Sequence, residues 1–403
     1  MRMRYLTALA LLGGITVIVS ACAPQTDGLQ TKKMQVQRFE PGQYPRLLSE
    51  WQLLTREDAD AGGQLKRASD TLIYRINTPL FADYTLKLRT ISLPEGTQAQ
   101  FNNTAVLDFP VGTVISKTFY YDTRDVPLDE SASARPVLFA GDATASIDTV
   151  TTQLLETRLL VNTTDGWQAL PYIWNETQTD AVLSLTGAIK SIGDNIYIVP
   201  SKDECASCHA LGRDKVLQPI GPKARHLHLP EEQGASALQA LLDRGWLALP
   251  KADGPETGRP TANSNIEVAM HSITANALWQ NDSNPASFSN DELDHRARSY
   301  LDANCGHCHN PEGSADTSHL YLDYADHNAR ALGECKPPVA AGRGTGGHLY
   351  SIVPGAPQHS IMSYRMRSTD PGRMMPEAGR TRVHEEGVAL IDEWIRRQVG
   401  DCG

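Results

Sequence analysis

No stretch of this 403-residue chain is long and apolar enough to cross a membrane as a stable helix. Its most apolar run, Leu6 to Val19, is short and leads quickly into polar sequence. Basic excess is also missing. With 47 Asp and Glu against 37 Lys and Arg, the net charge of −10 argues against nucleic acid or anionic lipid as a partner. A phosphate loop is excluded, because the glycine cluster Ala341-Gly-Arg-Gly-Thr-Gly-Gly347 lacks a Gly-Lys-Ser/Thr ending and a strand-to-helix context. Cysteine is scarce, at 7 residues, which makes its placement informative.

Four of those cysteines stand in two copies of one pattern, Cys205-Ala-Ser-Cys208-His209 and Cys305-Gly-His-Cys308-His309. Cys-x-x-Cys-His is the attachment signature of c-type haem: two thiols bond the two vinyl groups, and the next residue presents an imidazole nitrogen to the iron. At this content of cysteine and histidine, chance gives about 0.004 copies, so two are no coincidence. Two Cys-x-x-Cys pairs can instead share one tetrahedral zinc, but zinc does not require histidine after each second cysteine. A thioredoxin-like pair has no use for that histidine either. The motifs imply two covalently attached c-type haems on Cys205, Cys208, Cys305 and Cys308, with iron ligated by His209 and His309.

The start of the chain has the charged, apolar and small-residue segments of a secretory signal over 1–21. Cys22, after Val19-Ser20-Ala21, resembles the lipidated cysteine of a bacterial lipobox. Ala23-Pro24 follows in place of aspartate, which points to the outer membrane, facing the periplasm or the cell surface. Export fits covalent haem and permits disulfides. Cys335 and Cys402 remain unassigned, and the expectation is that they pair with each other.

Residues 22–45 read as a polar tether. From 46 to 195, short runs rich in β-branched and aromatic residues (71–76, 84–91, 113–121, 157–161, 167–174, 181–185) alternate with turn signals, which predicts a mainly-β, sandwich-like domain. The segment 129–149 reads as an irregular insertion. From 196 onward helical stripes appear at 235–246, 291–304 and 385–399. The expectation is two α-helical cytochrome c-like haem domains, 196–285 and 286–403.

The sixth iron ligand is the protein's main control of potential. For the second site Met375, beside Pro376, is preferred over Met374, and Met362 and Met366 read as core. For the first site Met270 is the one methionine between the two motifs, with His226, His228 and His271 as competitors and an open position as a further possibility. Arg343 or Arg365 are candidates to pair with a propionate.

Arg296-Ala-Arg-Ser-Tyr-Leu-Asp-Ala-Asn-Cys-Gly-His-Cys-His-Asn-Pro311, Val353-Pro-Gly355, Met374-Met-Pro376 and the run Gly387 to Ile395 resemble a bacterial family of di-haem c-type cytochrome lipoproteins. The resemblance extends over Leu107 to Gly112, Glu156 to Val161 and Trp174 to Ala181. It implies haem binding and electron transfer at the cell envelope. Where that family is expected to be polar after Ala224-Arg225, this chain has His226-Leu-His228, which leaves the first iron's ligand open. The leading function is a non-enzymatic electron carrier, anchored to the membrane by lipid and exchanging electrons with a redox partner protein of the envelope. A haem enzyme of the di-haem peroxidase or oxidase kind, using an open first site, is the alternative. So is a ligand-binding module with attached haems.

Overall fold

The computed structural model describes residues 34–56, 63–122, 146–148, 150–192, 195–229, 236–250, 270, 272–279, 283–339 and 341–403. The leader, Cys22, His271 and most of 129–149 lie outside them. Residues 34–403 form one compact unit.

Its centre is an antiparallel sheet. A small layer of β1 (Leu54–Arg56), β2 (Gln64–Arg67) and, later in the chain, β7 (Ser146–Asp148) lies behind it. The central sheet uses β3 (Leu72–Ile73), β4 (Leu86–Ser92), β6 (Val114–Asp122), β8 (Thr152–Thr163), β9 (Gly166–Trp174) and β10 (Ala181–Leu183), in the order β10-β9-β8-β6-β4-β3. The short strands β5 (Ala99–Gln100) and β15 (Leu247–Ala248) pair in parallel, and hairpins join β11 (Ala188–Ile192) to β12 (Asn195–Val199) and β13 (Ala210–Leu211) to β14 (Val216–Leu217).

Both faces of the central sheet are covered, and side chains alternate between them along each strand. The rear set, with Leu88, Val114, Leu159, Val161, Leu170 and Tyr172, packs on Trp51, Leu53, Leu54 and Leu65. The Trp51 indole N–H donates to the Tyr172 hydroxyl at 2.7 Å, so that buried pair satisfies its own polar atoms. Residues of the expected tether take part: Val36 is buried, and Met34, Phe39 and Tyr44 lie against the same core. The front set follows from the register. Lys87 stands opposite Phe119 and Phe119 opposite Glu156; Arg89 stands opposite Lys117 and Lys117 opposite Arg158. The front is therefore apolar at Ile91 and Ile115 and cationic one step along.

The expectation of a β domain followed by two helical cytochrome c domains does not hold. The fold is mixed, and the described residues contain six α-helices beside the sheet. In 196–285 the helices are short: α1 (Lys202–His209), α2 (Ala224–Leu227) and α3 (Ala237–Asp243). Ala224, Leu227, Leu238, Leu241 and Ile273 form one core with Tyr74, Ile91 and Ile115 of the strand region. The apolar stripe of 235–246 closes over the sheet front, which removes the need for a separate helical core.

The last third holds α4 (Asn290–Asn304), α5 (Ile361–Arg367) and α6 (Glu385–Arg397). Ser289 caps α4 by accepting from the Glu292 amide, and Asp291 and Glu292 occupy its first turn, where negative charge is favoured. Leu293, Ala297, Tyr300 and Leu301 of α4 pack against Val388, Ile391 and Ile395 of α6. Gly387 permits this approach: a Cβ there would overlap the Tyr300 hydroxyl and His384 Nδ1. The helix carrying the second motif is thus braced by the C-terminal helix. Cys335 and Cys402 form a disulfide that closes a separation of 67 residues and pins the C-terminus to the loop after that motif.

Candidate functional site

The first motif lies on α1. Ser201 caps it, accepting from the Glu204 amide while Glu204 accepts from the Ser201 amide, a reciprocal capping box. Cys205 and His209 are four residues apart, hence on one helix face, and both line a small cavity of about 60 Å³ against the sheet front. The β13–β14 hairpin then doubles back, and Gly212 (φ +70°) takes a left-handed position at its turn. The return brings Gln218 to His209: the Gln218 amide donates to the His209 carbonyl at 2.8 Å, and the ring Nδ1–H donates to the Gln218 carbonyl at 2.6 Å.

The second motif continues from α4. The His309 amide donates to the Cys305 carbonyl at 2.9 Å, and the Leu322 amide donates to the His309 carbonyl at 2.8 Å. Ser318 Oγ donates to the Ala315 carbonyl at 2.7 Å, so its oxygen is free to accept from His309 Nδ1–H at 3.3 Å. In both motifs the proton sits on Nδ1 and the Nε2 lone pair is left free. That is the tautomer a metal-ligating histidine needs, with its other nitrogen held by a protein acceptor. Burial pushes His209 down to about 3, with Lys117 and His307 adding to the effect. Burial, together with His307, pushes His309 down to about 4. Both rings are neutral at neutral pH.

The two motifs touch. Donor atoms of Cys208, His307 and Cys308 all lie within 4.8 Å of one another. Cys308 Sγ approaches the Ser207 carbonyl at 3.7 Å, and the Gly212 amide donates to the Glu312 carbonyl at 2.8 Å. The hydrogen bond between the two thiols, and then burial, pushes Cys208 up to about 12; the same bond lowers Cys308. Cys305 is pushed up to about 12 by burial, and Cys205 is raised by burial. His307, between the two cysteines of its motif, stands at this junction.

A cavity of about 390 Å³ opens beside the second motif, and Cys208, Cys305, Cys308, His309 and Met375 all line it. Met375 is held by its amide, which donates to the Arg365 carbonyl at 3.1 Å, and by its carbonyl, which accepts from Arg380 at 2.9 Å. Met362 and Met366 line the same space; Met374 is buried elsewhere in the core. Arg365 also lines the cavity, with Arg380, whereas Arg343 is exposed.

Met270 is placed differently from Met375. It packs against the apolar group around Ile76, Leu227 and Leu241 and is not among the residues lining the first cavity. His226 does line that cavity. It is 1% exposed, its Nε2–H donates to Asp302 at 2.6 Å, and its Nδ1 has no partner. Asp302 belongs to α4 and also accepts from Asn276 at 3.1 Å, so the pair ties the first cavity to the helix bearing the second motif. His228 is anchored by its carbonyl, which accepts from Asn77 at 2.6 Å.

Sequence reasoning missed the opposite wall of the first cavity. Arg89, Lys117 and Arg158 line it from β4, β6 and β8. Each of these strands carries at least one cation in its sequence, but alternation alone does not say that those positions are covered. No family model, curated protein or solved structure matches the chain, so the family resemblance rests on its sequence motifs.

Proposed function

We propose that this protein is a di-haem c-type cytochrome that carries electrons, with one haem on Cys205 and Cys208 under His209 and the other on Cys305 and Cys308 under His309. The observation that carries the reading is the contact between the motifs at Cys208, His307 and Cys308. Bound haem supplies reversible one-electron chemistry at its iron. The chain's part is to bring the two attachment points together, hold both histidines neutral with Nε2 free, and shield the site from water.

The donor set fits such a group. The second motif fits best: its two thiols and its imidazole all line the cavity of about 390 Å³, which falls in the range of cofactor sites, about 300–1,000 Å³. The first cavity, about 60 Å³, is far smaller. Seating a macrocycle there requires that cavity to widen and to take in Cys208, which lines the other cavity. Met375 is the methionine we assign to the second iron. For the first, His226 is better supported than Met270: it lines the right cavity, and its other nitrogen is held by a carboxylate in the manner of metal-ligating histidines. With His226 and Met375 as the further ligands, neither iron would keep an open position, which favours a carrier over a haem enzyme. Export, a lipid anchor at Cys22 and an envelope redox partner belong to the same proposal; no helix among the described residues is long and apolar enough to cross a membrane.

One observation favours a second reading. Two thiols and an imidazole within 4.8 Å of one another also suit zinc, which would bridge the motifs in place of haem. Spectroscopy of the ferric and ferrous protein, with and without CO, tests the first reading. Two low-spin haems that reject CO support a carrier, CO binding at one supports an enzyme, and absence of haem defeats both.

A further inference from the structure

The front of the central sheet carries more positive charge than the protein around it balances. Lys87 and Arg89 on β4, Lys117 on β6 and Arg158 on β8 share that face through their cross-strand register. Glu156 is the carboxylate paired with the group among the described residues. It bonds Arg158 in fork fashion and accepts from the Tyr197 hydroxyl at 2.6 Å, which uses its oxygens. Lys87 donates to the Thr85 carbonyl at 2.9 Å. The Phe119 ring lies under Lys87, Lys117 and Arg158 at 5.6, 5.5 and 4.4 Å, an attraction that carries no countercharge.

Arg89 and Lys117 are left over. Arg89 is 6% exposed, its Nη2 has no partner, and it lines the first cavity opposite Cys205 and His209. Lys117 lines the same cavity. A buried cation without an anion is strongly unfavourable, and a planar guanidinium is the group best shaped to receive a carboxylate.

We infer that Arg89 and Lys117, flanked by Arg158, form a carboxylate-binding site on the sheet, facing the first motif. On the haem reading, on which this source depends, the carboxylates are the propionates of the haem on Cys205 and Cys208. The sheet is then the far wall of that haem's pocket, and the strands set its potential. The same chemistry suits a small free carboxylate, and the test separates the two sources.

Arg89→Gln, Lys117→Gln and their double variant are compared with Arg213→Gln, an exposed control, and with the charge-preserving Arg89→Lys and Lys117→Arg. Haem per chain is counted first, so failure of the haem reading is recognised on its own. With two haems present, removing positive charge favours the ferric state. One haem's reduction equilibrium should then shift at least tenfold, a fall of about 59 mV for one electron. The other haem should stay within twofold, with recovery in the charge-preserving variants. That shift should be indifferent to added succinate if the ligand is a propionate. Saturable dependence of the wild-type potential on succinate, lost in the double variant, assigns the site to a free carboxylate. If the chain carries no haem, calorimetric binding of succinate that disappears in the double variant upholds the site. Unmoved potentials in a two-haem double variant, with no succinate binding to the wild type, would overturn it; single variants are read alike where the double does not fold.

Discussion

Nδ1 of His209 lies 2.6 Å from the carbonyl oxygen of Gln218, and that contact decides which nitrogen of the ring is available for chemistry. The hairpin that returns Gln218 to the motif fixes the proton on Nδ1, leaving the Nε2 lone pair free. Ser318 does the same for His309 by a different route. His209→Ala and His309→Ala should each leave both haems covalently bound, since the thiols are untouched. Each should convert one haem to a high-spin, CO-binding form, seen in absorption spectra. Spectra that stay fully low-spin would mean the rings ligate nothing.

Met375→Ala should abolish the methionine-to-iron charge-transfer band of one haem, because Met375 shares its cavity with His309. Met270→Ala should leave the spectra unchanged and lower stability by about 2 kcal/mol, the cost of a methionine trimmed in an apolar core. His226→Ala should alter the other haem alone. If Met270→Ala alters a haem spectrum and His226→Ala does not, the ligand assignment at the first site is wrong.

Asp302 supplies a pH signature. Burial opposes its charge, but His226, Lys223 and the His226 hydrogen bond outweigh burial and hold the carboxyl well below its ordinary value of 3.8. A depressed folded value means the stabilisation is complete above the unfolded value and drains away below it. Asp302→Asn should therefore cost about 3 kcal/mol at pH 7. The difference from wild type should shrink by about 1.4 kcal/mol per pH unit below 3.8. Urea unfolding from pH 7 to pH 3 checks this; a difference that is constant over the range contradicts it.

The Cys335–Cys402 disulfide closes a separation of 67 residues, for which loop-closure entropy predicts about 4 kcal/mol. The double replacement Cys335→Ser and Cys402→Ser should lower the free energy of unfolding by that order without changing haem content. A loss of haem in this variant would give the disulfide a role in forming the site.

The parts legible in the sequence were the local ones. Helices at 290–304 and 385–397 announce themselves by apolar stripes and acidic first turns. The two Cys-x-x-Cys-His motifs are contiguous, so finding them needs no fold. The segment 196–285 was misread as a separate helical domain because the stripe at Leu238 and Leu241 declares a face to bury and not its partner, which is a sheet built some 150 residues earlier. The cations of the sheet were illegible for a related reason. Lys87-Leu-Arg89 in a strand reads as a solvent-facing edge of alternation. Only covering the front of the sheet turns those residues inward. Met375 and Met270 look alike in sequence, as methionines 66 and 61 residues after their motif histidines. Tertiary packing sends one to a cavity and the other to a core.

The central claim is that these two motifs hold haem. The chain is produced in cells that attach c-type haem, then examined by intact mass, by its pyridine haemochrome spectrum and for zinc. The account predicts two haems per chain, one lost with Cys205→Ala and Cys208→Ala and the other with Cys305→Ala and Cys308→Ala, and no stoichiometric zinc. A haem-free chain with one zinc, released on replacing Cys208, His307 or Cys308, would contradict it.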